Sequence, residues 1–123
     1  MVVSELDDAE PAAGPGDGRE TDRIFQALAD GTRRDILARI IREEQSVSGL
    51  ARHYPMSFAA VQKHVAVLER AALVSKQRRG REQVVRVEVA ALRRAARLLD
   101  SYEQLWRHRA RGIEQILAED RER

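Results

Sequence analysis

Gln62 and Lys63 stand inside the segment Ser57-Phe-Ala-Ala-Val-Gln-Lys-His-Val-Ala-Val-Leu-Glu-Arg-Ala, whose apolar residues recur at helical spacing. Val61, Val65, Leu68 and Ala72 share one face of a helix expected over Phe58–Ala71. Ala59, Gln62, Lys63, Ala66 and Arg70 then fall on the opposite face. A glutamine amide donates and accepts at once, which matches an adenine edge in the major groove, and an alanine methyl packs on a thymine methyl. The N-terminal end of such a helix meets base edges, so Ser57, Ala59 and Gln62 are the candidate base contacts. Lys63, a fixed charge, and His64, a donor, suit phosphates. Phe58 has two readings: it staples the turn against Tyr54, or it protrudes toward the groove. The use of aromatics as core material favours the first.

A second basic cluster follows at Arg78-Arg-Gly-Arg81. A run of charge is usually a solvated loop. Here Arg78, Arg79 and Arg81 surround a glycine at an expected hairpin tip beside the reading helix, and contact with phosphates or the minor groove is the better reading. Arg33 and Arg34 open another helix, where a helix start and its guanidiniums can hold phosphate. A plain solvated helix start has an equal claim there.

Other chemistries find little support. The chain has no cysteine, which excludes disulfides, thiolate metal sites and cysteine catalysis. His53 and His64 have no nearby acid or thiol in sequence to complete a metal site, so no metal and no cofactor is expected. No Ser, Asp and His arrangement reads as a triad, and no glycine-rich phosphate loop is present. Glu43-Glu44 end a helix and read as solvated. An enzyme is not expected.

Composition bounds the frame. With 123 residues, 43% hydrophobic but only 4% aromatic, the chain is expected to build one modest core from Leu, Ile, Val and Ala. No apolar run reaches membrane-spanning length, and the acidic N-terminal residues do not read as a secretory signal. The lack of cysteine fits a cytoplasmic location. Charge is uneven beneath a net of +2: residues 1–22 carry seven acids and one base, and residues 23–123 carry 21 bases and 13 acids. The folded part is basic, which points to an anionic partner.

The elements that position these residues are as follows. Residues 1–20, rich in Pro, Gly, Ala and acids, read as a disordered acidic tail. A helix starts at Thr21, with Ile24, Phe25 and Leu28 on one face, and Asp30-Gly31 ends it. Thr32 is the expected N-cap of the next helix, with Asp35 in its first turn and Ile36, Leu37, Ile40 and Ile41 as its buried stripe. Val47 reads as a short strand, and Ser48 caps a helix that reaches His53 and breaks at Tyr54-Pro55. Ser57 caps the reading helix. Leu73–Gln77 and Gln83–Val89 read as two strands, the second with alternating Val85, Val87 and Val89. A long helix spans Ala90–Ala118, and residues 119–123 form a short tail. Along it Leu92, Ala95, Leu99, Tyr102, Trp106, Arg109, Ile113 and Ile116 recur at steps of three and four, flanked by Leu98, Leu105 and Leu117. One small domain does not need so much apolar surface on a terminal helix, so part of it is expected to meet a second copy of the chain. Gly112 permits a close helix crossing there or is merely tolerated.

The residues Phe25-Gln-Ala-Leu-Ala-Asp-Gly-Thr-Arg-Arg-Asp-Ile-Leu37, then Met56-Ser-Phe-Ala-Ala-Val-Gln-Lys-His-Val-Ala-Val-Leu-Glu-Arg-Ala-Ala-Leu-Val74, then the arginine-rich hairpin, resemble the ArsR (arsenical-resistance repressor) family of bacterial winged-helix regulators. The likeness spans roughly Ile24 to Leu117. It implies a mainly α (α+β) winged helix-turn-helix fold over residues 21–118, with a two-stranded β-wing and a long C-terminal dimerisation helix. It also implies a homodimer held by the first and last helices, through Ile24, Phe25, Leu28, Leu99, Tyr102, Trp106, Ile113 and Ile116. The implied partner is double-stranded DNA carrying an imperfect palindromic operator, and the implied action is repression of its own or a neighbouring operon. Three departures qualify the likeness. Ser46 and Ser48 stand where metal-sensing members carry a Cys-x-Cys element, and His108 stands alone on the last helix. The family's metal sensing is therefore not carried over. Gly31 replaces a common proline, which loosens a turn without changing the fold. Any small-molecule effector is left unnamed; the apolar lining near Tyr102, Leu105 and Trp106 is a pocket or, on the better reading, dimer packing. The competing function is a winged-helix protein-interaction module whose wing binds an acidic partner.

Overall fold

Ile24, Ile36, Ile40, Leu50, Val61, Val65, Leu68 and Val85 are all essentially closed to solvent, and every helix but the last is placed by its share of this aliphatic core. The computed structural model describes residues 15–122, with side chains from Gly18 onward. The elements run α1 (Pro15–Leu28), α2 (Gly31–Arg42), β1 (Gln45–Ser46), α3 (Val47–Ala51), α4 (Phe58–Arg70), β2 (Val74–Arg79), β3 (Glu82–Val87) and α5 (Val89–Glu122). The strands form one antiparallel sheet in the order β1-β3-β2. A short helix, a turn and a second helix are thus followed by a β-hairpin, the winged helix-turn-helix architecture.

Several boundaries differ from expectation, each for a local reason. Helix α1 begins at Pro15, six residues before Thr21, and proline's fixed φ suits a helix start. Residues 1–14 of the expected tail lie outside the described residues. Asp30, not Thr32, caps α2: its backbone is extended and its carboxylate accepts the Arg33 N–H at 3.0 Å. That N–H also holds the Asp30 carboxyl below its usual range. In α2, Ile36, Leu37 and Ile40 are buried, but Ile41 is 52% exposed, because the next step of the helix carries it off the buried stripe. Glu43 caps the end.

The short strand is Gln45–Ser46, which pairs with Val85 and Val84, and Val47 instead begins α3. Ser46, not Ser48, is the α3 cap; its Oγ accepts the Gly49 N–H at 3.0 Å. Helix α3 stops at Ala51, before His53. Ser57 caps α4 as expected, accepting the Ala60 N–H at 3.1 Å.

The end of α4 sets up the wing. Ala72 takes φ +59°, the left-handed region. Its N–H donates to the Glu69 carbonyl at 2.9 Å and the Leu73 N–H donates to Leu68 at 3.0 Å, the paired closure of a Schellman motif. The reversal buries Ala71 and Leu73 and leaves Ala72 exposed, so Ala72 does not belong to the buried stripe of α4. Strand β2 then pairs with β3 from Val74↔Val87 to Arg79↔Glu82, leaving Gly80 and Arg81 as a two-residue turn. Gly80 takes φ +62° at the first turn position, as a type II′ turn asks. Val85 is buried and Val87 partly so, whereas Val89 has left the sheet and opens α5 at 44% exposure.

Helix α5 has 34 residues and spans about 50 Å at 1.5 Å per residue. It runs four residues beyond Ala118. Ala91 and Ala95 are buried where its first turns cross α1. From Leu99 to Glu122 no side chain is buried.

Tyr54 ties the α3–α4 turn to α2. Its hydroxyl donates to Asp35 Oδ2 at 2.6 Å, Arg39 Nε donates to the same oxygen at 3.0 Å, and the Arg39 guanidinium lies 5.7 Å from the Tyr54 ring centre. Burial, reinforced by the Asp35 carboxylate, pushes the Tyr54 hydroxyl up to about 12. The Tyr54 and Arg39 hydrogen bonds lower Asp35 below 3.8.

Two stability predictions follow from these contacts. Replacing the strained Ala72 by glycine should stabilise the fold by about 0.5–1 kcal/mol, since left-handed backbone costs alanine roughly 1–2 kcal/mol and glycine's extra unfolded freedom offsets part of it; urea unfolding reads it. Tyr54→Phe should cost about 1 kcal/mol at neutral pH, the low end for a hydrogen bond to a half-exposed carboxylate. Because Asp35 is lowered, that difference is present above pH 3.8 and shrinks as acid protonates it. Because Tyr54 is raised, the stability it adds is lost only as pH climbs from about 10 toward about 12. Unfolding curves across both ranges check the signs.

Candidate nucleic-acid interface

Burial of Val61, Val65 and Leu68 turns Ala59, Gln62 and Lys63 to solvent together. Gln62 and Lys63 follow Ala59 by three and four residues, so both flank its methyl on one helix face. Phe58 lies one turn before Gln62 on this face and is 46% exposed, so it protrudes and is not a core staple. Tyr54 meets Arg39, Asp35 and the edge of His53 instead. Ser57 is exposed, and its oxygen is occupied as the α4 cap; its hydroxyl hydrogen remains free to donate outward.

Facing Phe58 and Gln62 across a cleft of about 270 Å³ is the wing, with Arg81 and Gln83 on its wall, Lys76 from β2 and Ser48 from α3. Ser48, Lys76 and Gln83 were not among the contact residues expected from the sequence. Their signal was the hairpin register: a two-residue turn at Gly80-Arg81 places Lys76 opposite Val85, and hence beside the central strand. Arg81 therefore joins the exposed face of α4, as its place at the tip implied.

The other candidate cations have partners within the chain. Arg33 Nε donates to the Ala27 carbonyl at 2.8 Å and its Nη2 to Gln26 at 3.0 Å, closing the C-terminal end of α1. Arg34 Nη1 does the same for Leu28 at 2.7 Å. His64 turns back toward this corner, its Nδ1 3.4 Å from Arg33 Nη1 and 3.8 Å from Asp30 Oδ2. These three residues thus hold the α1–α2 turn. Arg79 is held by Glu44, Nη1 to Oε1 at 2.6 Å, and the other Glu44 oxygen lies 3.7 Å from Arg86 Nε. Glu44 is therefore not idle; it anchors the wing to the end of α2. Arg78 Nε donates to the Gly80 carbonyl at 3.2 Å and braces the turn, while remaining exposed.

The expected contact surface of the terminal helices also divides. Ile24 is 2% exposed and belongs to the chain's own core, so it offers nothing to a second copy. Phe25 and Leu28 are half-buried at the edge of that core. Leu99, Tyr102, Trp106, Ile113 and Ile116 are all exposed, with Leu105 and Leu117 beside them, and the Arg109 guanidinium rests 5.8 Å from the Trp106 ring centre. Gly112 has open space around it. Among the described residues no group of His, Asp and Glu is arranged to hold a metal, and no helix is long and apolar enough to cross a membrane.

A helix displayed beside an arginine-bearing hairpin is the apparatus of a DNA-binding winged helix-turn-helix protein. Comparison with known proteins agrees. A family model described as a helix-turn-helix domain matches residues 28–77. The chain is 36% identical over 99 residues to the HTH-type transcriptional regulator Rv2034 of Mycobacterium tuberculosis, covering 80% of this chain and 90% of that one. It is 38% identical to an ArsR-like transcriptional regulator from Rhodococcus sp. RHA1, with a TM-score of 0.70 over 82% of this chain and 95% of that one. The fold is shared with the homodimeric winged helix-turn-helix DNA-binding domain of Mb0332 from Mycobacterium bovis, at 22% identity and a TM-score of 0.59 over 85% and 92% of the two chains. The chain belongs to the ArsR family of winged helix-turn-helix transcriptional regulators.

Proposed function

We propose that the chain acts as a homodimeric repressor that reads an imperfect palindrome, one half-site per copy. The supporting observation is the common exposure of Ala59, Gln62 and Lys63 on a helix whose inner face is locked in the core. In this reading Gln62 pairs with an adenine edge, Ala59 packs on a thymine methyl, and Phe58 adds apolar contact in the groove. Lys63 and Ser57 take phosphates beside it, and Arg81, with Arg78, reaches the backbone or minor groove from the wing. Arg79 serves by holding the wing against Glu44. Repression follows from occupancy, because a bound dimer denies the promoter to polymerase.

Dimerisation is supported by α5. A helix without tertiary packing is marginal in water, and α5 continues from Leu99 to Glu122 with no buried side chain. Its exposed Leu99, Tyr102, Trp106, Ile113 and Ile116 keep the three-and-four spacing that lets two helices interdigitate. The Mycobacterium bovis domain of this fold is described as homodimeric.

Two measurements test the reading. In a gel shift on DNA upstream of the chain's own gene, Gln62→Ala should lose about 1–3 kcal/mol of discrimination against random DNA. Lys63→Ala should weaken all sequences alike and flatten the salt dependence by about 2, roughly 0.9 for each phosphate released in two copies. Unchanged discrimination in Gln62→Ala contradicts base reading and favours a protein-binding module. Separately, Trp106→Glu should yield a folded monomer in sedimentation, since no core contact depends on Trp106, and DNA affinity should fall with it. A dimer that survives this change places the interface elsewhere.

A further inference from the structure

A pocket of about 330 Å³ opens where α1, the end of α4 and the start of α5 meet. It is separate from the wing cleft, with which it shares no lining residue. Its volume sits at the small end of the roughly 300–1,000 Å³ range for ligand sites. The floor is apolar: Ile24, Ala71 and Ala91 are buried there. The rim is charged, with Glu20, Arg23, Arg70, Glu88 and Arg94.

Among the described residues these charges are unevenly paired. Arg94 Nη1 donates to Glu20 Oε1 at 2.8 Å, and Glu88 Oε2 accepts the Ser75 hydroxyl at 2.6 Å. Arg23 and Arg70 have no ion pair among the described residues. Among its described lining residues the rim carries three guanidiniums, two of them without an ion pair, over an apolar floor. Ala72, the one described non-glycine residue with positive φ, also lines it. Backbone held in such a region collects at ligand clamps and switches, where its neighbours over-determine it.

We propose that this pocket is a binding site for a small organic monoanion with an apolar body, its carboxylate held by Arg23 and Arg70 and its body resting on Ile24, Ala71 and Ala91. Guanidiniums favour this ligand over a bare ion, because they grip a planar carboxylate bidentately and the floor takes hydrocarbon. The site differs from the apolar lining around Tyr102, Leu105 and Trp106, which lies further along α5 and faces open solvent. It contacts α1, α4 and α5 at once, so an occupant senses where α4 stands relative to the terminal helices.

Benzoate is the probe, titrated into the full-length chain and followed through backbone amide shifts by NMR. The proposal expects saturable shifts at Ala71, Ala72, Ala90 and Ala91. Benzamide, of the same shape without the charge, should bind about tenfold more weakly, and acetate, without the body, should produce no saturable shift at these amides. Arg23→Gln combined with Arg70→Gln should weaken benzoate about tenfold while the remaining amide spectrum is unchanged. Absence of saturation by benzoate, equal binding of benzamide, or undiminished binding by the double variant each overturns the proposal. The benzoate–benzamide comparison uses the unaltered chain, so it decides the matter even if the double variant folds poorly. None of these readouts involves DNA, so a failure here leaves the DNA-reading proposal standing.

Discussion

Val61, Val65 and Leu68 reach zero exposure on one side of α4, and the chain's other features follow from what that burial demands. A helix that commits one face to a core has no freedom to rotate. The residues opposite, Ala59, Gln62 and Lys63, are turned to solvent as a fixed set. The core that receives α4 is built from branched aliphatics supplied by α1, α2, α3, β2 and β3. With no aromatic among its fully buried residues, the core depends on many modest contacts, so the polar ties around its edge have much to do in keeping α4 at one angle.

Those ties explain which charges were legible in the sequence and which were not. The stripe of α4, its Ser57 cap, the hairpin after it and the long final helix could all be read from period and spacing, and the structure has them. The role of Arg33 could not. Its position at a helix start suits a phosphate equally well, and only the folded chain brings the Ala27 and Gln26 carbonyls to its guanidinium. Glu44 looked solvated because its partners, Arg79 on β2 and Arg86 on β3, arrive from more than thirty residues away. His64 sits next to Lys63 in sequence, but one helical step of about 100° turns it from the reading face to the α1–α2 corner. Caps showed the same limit: Asp30 and Thr32, or Ser46 and Ser48, are equally good capping residues in a string of letters, and tertiary packing chose the first of each pair.

The family likeness of the sequence held at the level of fold and class, and the differences lie in the details a single chain must solve for itself. Ser46, at a position where metal-sensing relatives carry cysteine, is used here as a helix cap. Ile24, expected at a contact between copies, completes the core. What α1 withholds from such a contact, α5 offers in excess, for its run of exposed large apolar residues from Leu99 to Leu117 follows the buried Ala91 and Ala95. The helix therefore divides into a proximal part that belongs to the domain and a distal part suited to a second copy. The pocket lies beside the proximal part, against Ala90, Ala91 and Arg94.

The central claim is that two rigidly held copies of α4 read DNA together. Hydroxyl-radical footprinting of the chain on DNA upstream of its own gene tests it most directly. The account predicts two protected patches of equal depth, centred about one helical turn, or roughly 34 Å, apart or a multiple of it. A single patch, or protection spread evenly along the duplex, contradicts it.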